Sequence, residues 1–317
     1  MSLKNFAIVF TTFILVSCLF VNLPTEAVEP TATLLSVPST SAQILTATSI
    51  STSTDTSVST QSVTLETPNF NQDSGSIAKF PEQIDGVALH YYYDANSFFP
   101  SSWLREPINC TGRQFDLIEA PRVFANIAIF TFSYSSTFLK RNLTDIYILN
   151  DLECYGKSYG GTSGRSSIYL EVDTQDEGYT DQFLLGMLHS EFSSILIRSY
   201  QFPEQEWRQI NQNGFAYSEN ALEVVEQDRI REPTKDLLEA GFLVRYATTS
   251  LENDFNMFAE WLFTREKELC ELRTRYERIN KKAHLAIEFY KSIGSEVIFT
   301  DCKQLASNSL DGFILAH

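Results

Sequence analysis

A serine- and threonine-rich tract near the N-terminus limits which part of the chain can build a core. Residues 31–65 contain 19 serines and threonines among 35 residues, and no glycine. This composition buries too little apolar surface to offset the chain entropy lost on ordering, so we expect the tract to be disordered. A globular pattern begins near Phe80-Pro81. It leaves roughly 235 residues, enough for one sizeable core.

The residues before this tract have the pattern of an export signal. Lys4 provides a positive charge, and residues 6–16 form the short apolar run FAIVFTTFILV. Residues 15–18, Leu-Val-Ser-Cys, match a bacterial lipobox, in which the cysteine is acylated after cleavage. We therefore predict a signal peptide over residues 1–27 with Cys18 as the lipidation site. The alternatives are cleavage near Ala27, which gives a secreted protein, and a retained membrane anchor.

The remaining organisation follows from these segments. Residues 28–80 are predicted to be a flexible tether, and residues 81–317 a folded domain. The predicted location is the bacterial cell envelope, as a membrane-anchored lipoprotein, or the outside of the cell as a secreted protein. The net charge of −16 argues against nucleic acid and against an anionic membrane surface as partners. A lipid anchor is therefore the only membrane contact that we expect.

Four cysteines lie within the predicted domain, at Cys110, Cys154, Cys270 and Cys302. An even number in an exported chain permits disulfides, but four cysteines allow three pairings, and the sequence leaves all three open. Their spacing does not match the Cys/His patterns of structural zinc sites.

The apolar pattern predicts strands first and helices afterwards. Strands are predicted at 86–93, 145–154 and 166–172, the last two flanking a Gly/Ser-rich turn at 159–164. Residues 122–137 fit neither the strand nor the helix pattern. Helices are predicted at 183–197 (with a start at Thr180-Asp181), 203–210, 254–263 and 265–291. This order is typical of an α+β fold.

One carboxylate lies within the apolar face of the helix at 183–197. In the stretch LHSEFSSIL, at about 100° per residue, Glu191 falls between Leu188 and Ile195. An ionised carboxylate there is costly unless it is paired, and a raised pKa, as in a general base, is the usual outcome. The alternative is a core residue satisfied by a hydrogen bond or salt bridge. His189 points about 160° away from Glu191 by the same geometry and is predicted to be partly exposed.

Serines occupy the two positions at which this helix would carry zinc ligands. In the pattern H-E-x-x-H, histidines flank the general-base glutamate at the positions that are Ser190 and Ser194 in this chain. Neutral hydroxyls are poor zinc ligands beside imidazole, thiolate or carboxylate. The helix thus has the spacing of a zinc-peptidase helix without its metal-binding groups.

Three segments, taken in order, carry a family resemblance. They are DIYILNDLECYGKSYGGTSGRSSIYLEV, LHSEFSSILIRSY and GFLVRYATTSLENDFNMFAEWLF. Together they resemble the zinc-binding metallopeptidases found among bacterial lipoproteins and, more distantly, the catalytic domain of lethal-factor-like toxins, which are zincins. The resemblance covers about half of the chain. It implies a zincin-like α+β fold, in which a small mixed sheet is followed by helices that include a degenerate active-site helix.

The resemblance also implies roles for individual residues. The family's general base falls on Glu191, and its oxyanion-stabilising tyrosine falls on Tyr246. Its two histidine ligands fall on Ser190 and Ser194. The third ligand, a glutamate, falls on Asn253, or on Asn256 if the later helix sets the register. Because these positions lack strong zinc ligands, we expect no metal cofactor.

Three functions follow as hypotheses. The first is an exported, envelope-associated protein whose metallopeptidase-like domain lacks zinc catalysis and binds peptide or another envelope component. The second is an active metal-dependent hydrolase, in which Glu191 is the general base and zinc is held by His189, Glu252, Asp254 or a distant histidine. The third is a purely structural domain, in which Glu191 is a satisfied core residue.

Overall fold

The structure is a computed structural model that describes residues 80–172, 179–218, 232–299 and 301–302. The predicted signal peptide at 1–27, its lipidation site Cys18, and the tether at 28–80 except for its last residue lie outside the described residues. Those assignments therefore stay predictions.

A mixed sheet forms one layer of the domain. Its strands follow the order β1-β2-β4-β7-β6, and β3 and β5 also pair with β4. The pairs β2–β4 and β4–β7 are parallel. The pairs β1–β2, β3–β4, β4–β5 and β6–β7 are antiparallel. The strands are β1 (Gln83–Ile84), β2 (Val87–His90), β3 (Thr111–Gln114), β4 (Asp145–Cys154), β5 (Lys157–Ser158), β6 (Gly161–Ser163) and β7 (Ser167–Glu171).

Helices both precede and follow the central strands. Two of them overlap residues 122–137, the segment that fitted neither the strand nor the helix pattern. The others follow β7. Together with the mixed sheet they confirm the predicted α+β class. The described helices are α1 (Ala120–Phe132), α2 (Ser136–Asn142), α3 (Asp181–Ser199), α4 (Glu204–Ile210), α5 (Lys235–Ala240), α6 (Leu251–Thr264), α7 (Glu266–Arg275) and α8 (Glu277–Ser292).

Helix α3 is the centre of the packing. It begins where predicted, because the side-chain oxygen of Thr180 accepts a hydrogen bond from the backbone N–H of Phe183 and so satisfies one of the free donors of the first turn. The sheet strands β6 and β7, helix α1 and helix α6 all pack against it. Consequently the middle of α3 is buried on every side, with no exposed residue from 184 to 196.

The predicted helix at 265–291 is two helices. Tyr276 has an extended backbone, with φ −124° and ψ 107°, and separates α7 from α8. Apolar residues recur every three or four positions on both sides of this break, and Leu269 and Ile279 are both buried. Helical periodicity therefore continues through the break, which is why the sequence pattern did not reveal it.

The structure selects one of the three possible cysteine pairings. Cys110 is bonded to Cys154, which joins the segment before β3 to the end of β4. Cys270 of α7 is bonded to Cys302. Among the described helices, none combines the length and the apolar character that a membrane crossing requires.

Gly241 ends α5 in a conformation that a larger residue would strain. Its φ is +97°, and a Cβ at this position would lie 2.9 Å from the Cβ of Arg278 on α8. We expect Gly241→Ala to lower the free energy of unfolding by about 2–4 kcal/mol, the sum of left-handed backbone strain and overpacking.

The control for this prediction is Gly214→Ala. Gly214 has a similar φ of +81°, but no atom of the described residues lies within 4 Å of a Cβ placed there. This variant should lose only the backbone contribution, about 1–2 kcal/mol. Urea unfolding of both variants measures the difference, and equal losses would show that the contact with Arg278 is easily relieved.

Candidate functional site

Strand β6 lies directly on the carboxylate of Glu191. Ser163 donates a hydrogen bond through Oγ to Glu191 Oε2 at 2.9 Å, and Glu191 is fully buried. Gly161 makes the close approach possible, because a Cβ there would lie only 3.2 Å from Cγ of Glu191. The helix therefore presents Glu191 to the edge strand of the sheet, on the face that also carries the buried residues Leu188 and Ile195.

Arg198 joins α3 to this strand and to α6. One terminal nitrogen, Nη2, donates to Ser163 Oγ at 2.9 Å and to the carbonyl oxygen of Gly164 at 3.1 Å. The other, Nη1, donates to Glu252 Oε1 at 2.9 Å. Burial raises the pKa of Glu252, and the charge of Arg198 and a hydrogen bond from Ser194 oppose that shift.

One of the two serines at the zinc-ligand positions, Ser194, is bonded to a neighbouring amide. Asn256 Nδ2 on α6 donates to Ser194 Oγ at 2.7 Å, and Ser193 Oγ donates to Asn256 Oδ1 at 2.5 Å. Ser190 is also fully buried, and its Oγ has no hydrogen-bond partner among the described residues. Of the two positions that the resemblance offered for the third ligand, the structure thus brings Asn256 to Ser194.

This donor set does not fit zinc. The ligand positions offer only hydroxyl and amide oxygens, whereas protein zinc sites use imidazole, thiolate and carboxylate groups. The Asn256 amide and the Ser194 hydroxyl already satisfy each other. Within the residues that the structure describes, no three His, Cys, Asp or Glu side chains are grouped closely enough to hold a metal ion.

The remaining residues implied by the resemblance are buried nearby. Tyr246 lies in the 3-10 turn Arg245–Thr248, is 2% exposed, and belongs to an element that packs on α6, as α3 does. Asn253 donates through Nδ2 to Thr249 Oγ1 at 2.7 Å, within the N-terminal turn of α6. Its amide therefore faces its own helix start.

The prediction that His189 is partly exposed is wrong, because its side chain is fully buried. It does point away from Glu191, but helices α1 and α6 cover that face of α3 as well. The hydroxyl of Tyr134 lies 2.9 Å from its Nδ1, and the ring of Phe263 stacks on the imidazole with centroids 3.9 Å apart. Burial lowers the pKa of His189 to about 3, so the ring is neutral at physiological pH.

Asp254, another proposed ligand, is held by a buried cation. Lys282 Nζ lies 2.6 Å from Asp254 Oδ2, and both side chains are fully buried. Trp207 Nε1 and the Tyr217 hydroxyl donate to the same oxygen at 2.9 and 2.7 Å. Burial raises the pKa of Asp254 and lowers that of Lys282, while the attraction between the two charges opposes both shifts.

The alternative ligands for a catalytic metal are therefore not brought together. His189 faces Tyr134 and Phe263, Glu252 faces Arg198, and Asp254 faces Lys282. Each of the three already takes part in a separate interaction. A metal centre built from these residues would require several buried contacts to be broken.

Arg198 is the site residue that the sequence reading missed. It lies seven positions after Glu191, which is nearly two full helical turns, so the two side chains share a face of α3. A helical wheel shows this cation two turns from the carboxylate, so the wheel could have identified Arg198 as a partner of the site. Ser163 on β6 carried no comparable signal, because only the tertiary structure brings that strand to α3.

A surface groove lies outside this buried cluster. Its volume is about 930 Å³, and its lining includes Pro100, Trp103, Gly164, Arg165 and Arg198. Arg198 thus faces the groove on one side and bonds to Ser163 and Glu252 on the other.

Removing the carboxylate of the buried ion pair should be strongly destabilising. Asp254→Asn leaves the Lys282 cation buried without its counter-ion, and we expect a loss of about 3–5 kcal/mol in the free energy of unfolding. Adding Lys282→Met should recover much of the loss.

The matched control for that pair is Glu277→Gln. This change breaks the exposed pair between Glu277 and Lys281 on α8 and should leave the free energy of unfolding nearly unchanged, because solvent screens exposed ion pairs. Urea unfolding measures all three variants. Equal effects of Asp254→Asn and Glu277→Gln would contradict the buried-pair assignment.

His189 should make folding stability depend on pH. Its usual pKa of 6.5 applies to the unfolded chain, and the folded value is about 3, so between these values only the unfolded chain binds the proton. Above pH 6.5 the ring is neutral in both states, so the stability that depends on His189 is fully present. As the pH falls from 6.5 toward 3, the unfolded chain takes up the proton, and the free energy of unfolding falls by at most about 1.4 kcal/mol per pH unit.

The variant His189→Gln isolates this contribution. Other titrating groups are common to both proteins, so the difference in their unfolding free energies between pH 6.5 and 5 reports position 189 alone. The wild type should lose more stability than the variant over that interval. Parallel curves would show that the ring is accessible to protons in the folded state.

Comparison with known proteins adds little to this geometry. No family model matches the chain, and no curated protein matches it. A solved structure described as a "putative zinc-binding metallo-peptidase" from Bacteroides caccae is 13% identical, with a TM-score of 0.41. The match covers 57% of this chain and 70% of that chain. A similarity of this size assigns neither a family nor an activity.

Proposed function

We propose that this chain is an exported, envelope-associated protein whose zincin-like domain lacks zinc catalysis and binds peptide or another envelope component. The observation that carries the proposal is the donor set at the ligand positions. Ser190, Ser194 and Asn256 offer neutral oxygens, and the last two are bonded to each other. Three strong protein ligands and an open water position are what a catalytic zinc site requires.

The burial of Glu191 supports binding over hydrolysis. A general base must come within about 2.6–3.2 Å of the proton that it removes, directly or through one water. Glu191 is fully buried beneath β6, and Tyr246 is 2% exposed. Arg198 lines a surface groove and donates to Ser163, the partner of Glu191, so a ligand in that groove would meet the guanidinium before it could reach the carboxylate.

Export is supported by the sequence and by the cross-links. The lipobox ending at Cys18 predicts a lipid anchor, and the residues up to 80 would serve as the tether. The two disulfides, Cys110–Cys154 and Cys270–Cys302, are typical of proteins that fold in an oxidising compartment.

A purely structural role for the domain is the second candidate. It is favoured by the hydrogen bond from Ser163 to Glu191, which makes that carboxylate a partnered core residue. The two candidates differ in ligand binding, since a structural domain would retain no specific peptide.

Metal content and peptidase activity test the proposal directly. The full chain, loaded with zinc and then dialysed, should hold far less than one zinc per molecule and should not cleave a peptide library. Glu191→Gln should match the wild type in both measurements, because no catalytic step passes through this residue.

The matched control is Glu171→Gln, which alters another buried carboxylate, one that accepts a hydrogen bond from Tyr179 at 2.7 Å. Both variants should lower stability through the same kind of buried hydrogen bond. One zinc per chain, together with cleavage that Glu191→Gln abolishes and Glu171→Gln retains, would overturn the proposal. Failure of every library peptide to bind would favour the structural domain.

A further inference from the structure

The groove in front of Arg198 carries two arginines, although the protein as a whole is acidic. The chain has a net charge of −16, and among the described residues that line the groove the charged ones are Arg165 and Arg198. At physiological salt, charges further away than about 8 Å are largely screened. Glu252, which lies 2.9 Å from Arg198, offsets part of the charge of that residue, so Arg165 is the cation that a ligand inside the groove experiences most strongly.

Arg165 supplies an uncommitted cation at the rim of this groove. It lies in the turn between β6 and β7, next to Gly164, and is exposed. Within the described parts of the chain it forms no ion pair or hydrogen bond. An exposed guanidinium with free donors is suited to a carboxylate, which it can bind through two parallel N–H···O bonds.

Arg198 fixes the position of that turn. It donates to the carbonyl oxygen of Gly164, the residue preceding Arg165, and is itself held by Glu252. Because Glu252 offsets part of its charge, Arg198 contributes mainly by orienting the turn and adding positive potential. Arg198 is held by Glu252, whereas Arg165 is free to bind a ligand. An anion in the groove should therefore bind beside Arg165.

Trp103 contributes an aromatic ring to the lining of the groove. Trp103 is half-buried and packs against Tyr169 with ring centroids 5.1 Å apart. Its carbonyl oxygen accepts from the backbone N–H of Cys110, which the disulfide to Cys154 ties to β4. A preformed aromatic wall favours an apolar side chain adjacent to the anion.

From these features we propose that the groove binds the carboxylate of a peptide, with Arg165 as the anion-binding residue and Trp103 beside the neighbouring side chain. This inference rests on the proposed ligand-binding function and adds the site and the chemical class of the ligand. The carboxylate belongs either to the C-terminus of the peptide or to an acidic side chain.

Three peptides distinguish these sources by calorimetric titration into the full chain. They are acetyl-Ala-Phe-Ala with a free C-terminal carboxylate, the same peptide as its C-terminal amide, and the amide of acetyl-Glu-Phe-Ala. We expect the first peptide to bind about three- to tenfold more tightly than its amide, the effect of one exposed charge-assisted contact. Comparable binding of the glutamate-containing amide would assign the site to carboxylates of either source.

The variant Arg165→Gln should abolish the preference for the carboxylate. Its control is Arg275→Gln, which makes the same change of net charge at an exposed arginine on α7 and should leave the preference intact. Equal binding of the acid and the amide by the wild type, or a preference that survives in Arg165→Gln, overturns this inference and leaves the absence of zinc catalysis untouched. Failure of all three peptides to bind overturns it as well, whereas zinc-dependent cleavage would overturn only the proposed function.

Discussion

The guanidinium of Arg198 determines how three elements meet around Glu191. It joins the C-terminal part of α3 to β6 through Ser163 and Gly164, and to α6 through Glu252. The Ser163 hydroxyl that accepts from Arg198 in turn donates to the buried carboxylate. Because a buried polar group without a hydrogen-bond partner is costly, these contacts stabilise Glu191 beneath the strand.

The consequence is a helix whose spacing is typical of catalysis and whose surroundings are those of a core. Ser194 and Asn256 bond to each other where a metal would need strong ligands. The edge strand covers the carboxylate, and Arg198 lines the groove at the surface. Glu191 and Ser194, whose spacing is typical of catalysis, are therefore hydrogen-bonded within the core. The arginines that a ligand could contact, Arg165 and Arg198, line the groove.

Much of this arrangement could be predicted from residue patterns, and the failures have physical causes. Strand β4 was predicted with its observed bounds, and α3 begins at its predicted cap. Helix α1 was not recognised because apolar residues also lie on its exposed side, with Ile129 53% and Phe132 86% exposed, so the apolar residues of the segment do not mark a single face. The exposure of His189 was mispredicted because a wheel shows which way a side chain points but not which helices cover it.

Gly161 limits how the sequence around Glu191 can change during evolution. A Cβ at Gly161 would lie only 3.2 Å from Cγ of Glu191, and Ser163 bonds both to that carboxylate and to Arg198, so we expect substitutions at these positions to be coupled. Distant homologues should either keep the whole set or replace it together. Homologues that have replaced the whole set should be those in which β6 no longer packs against α3.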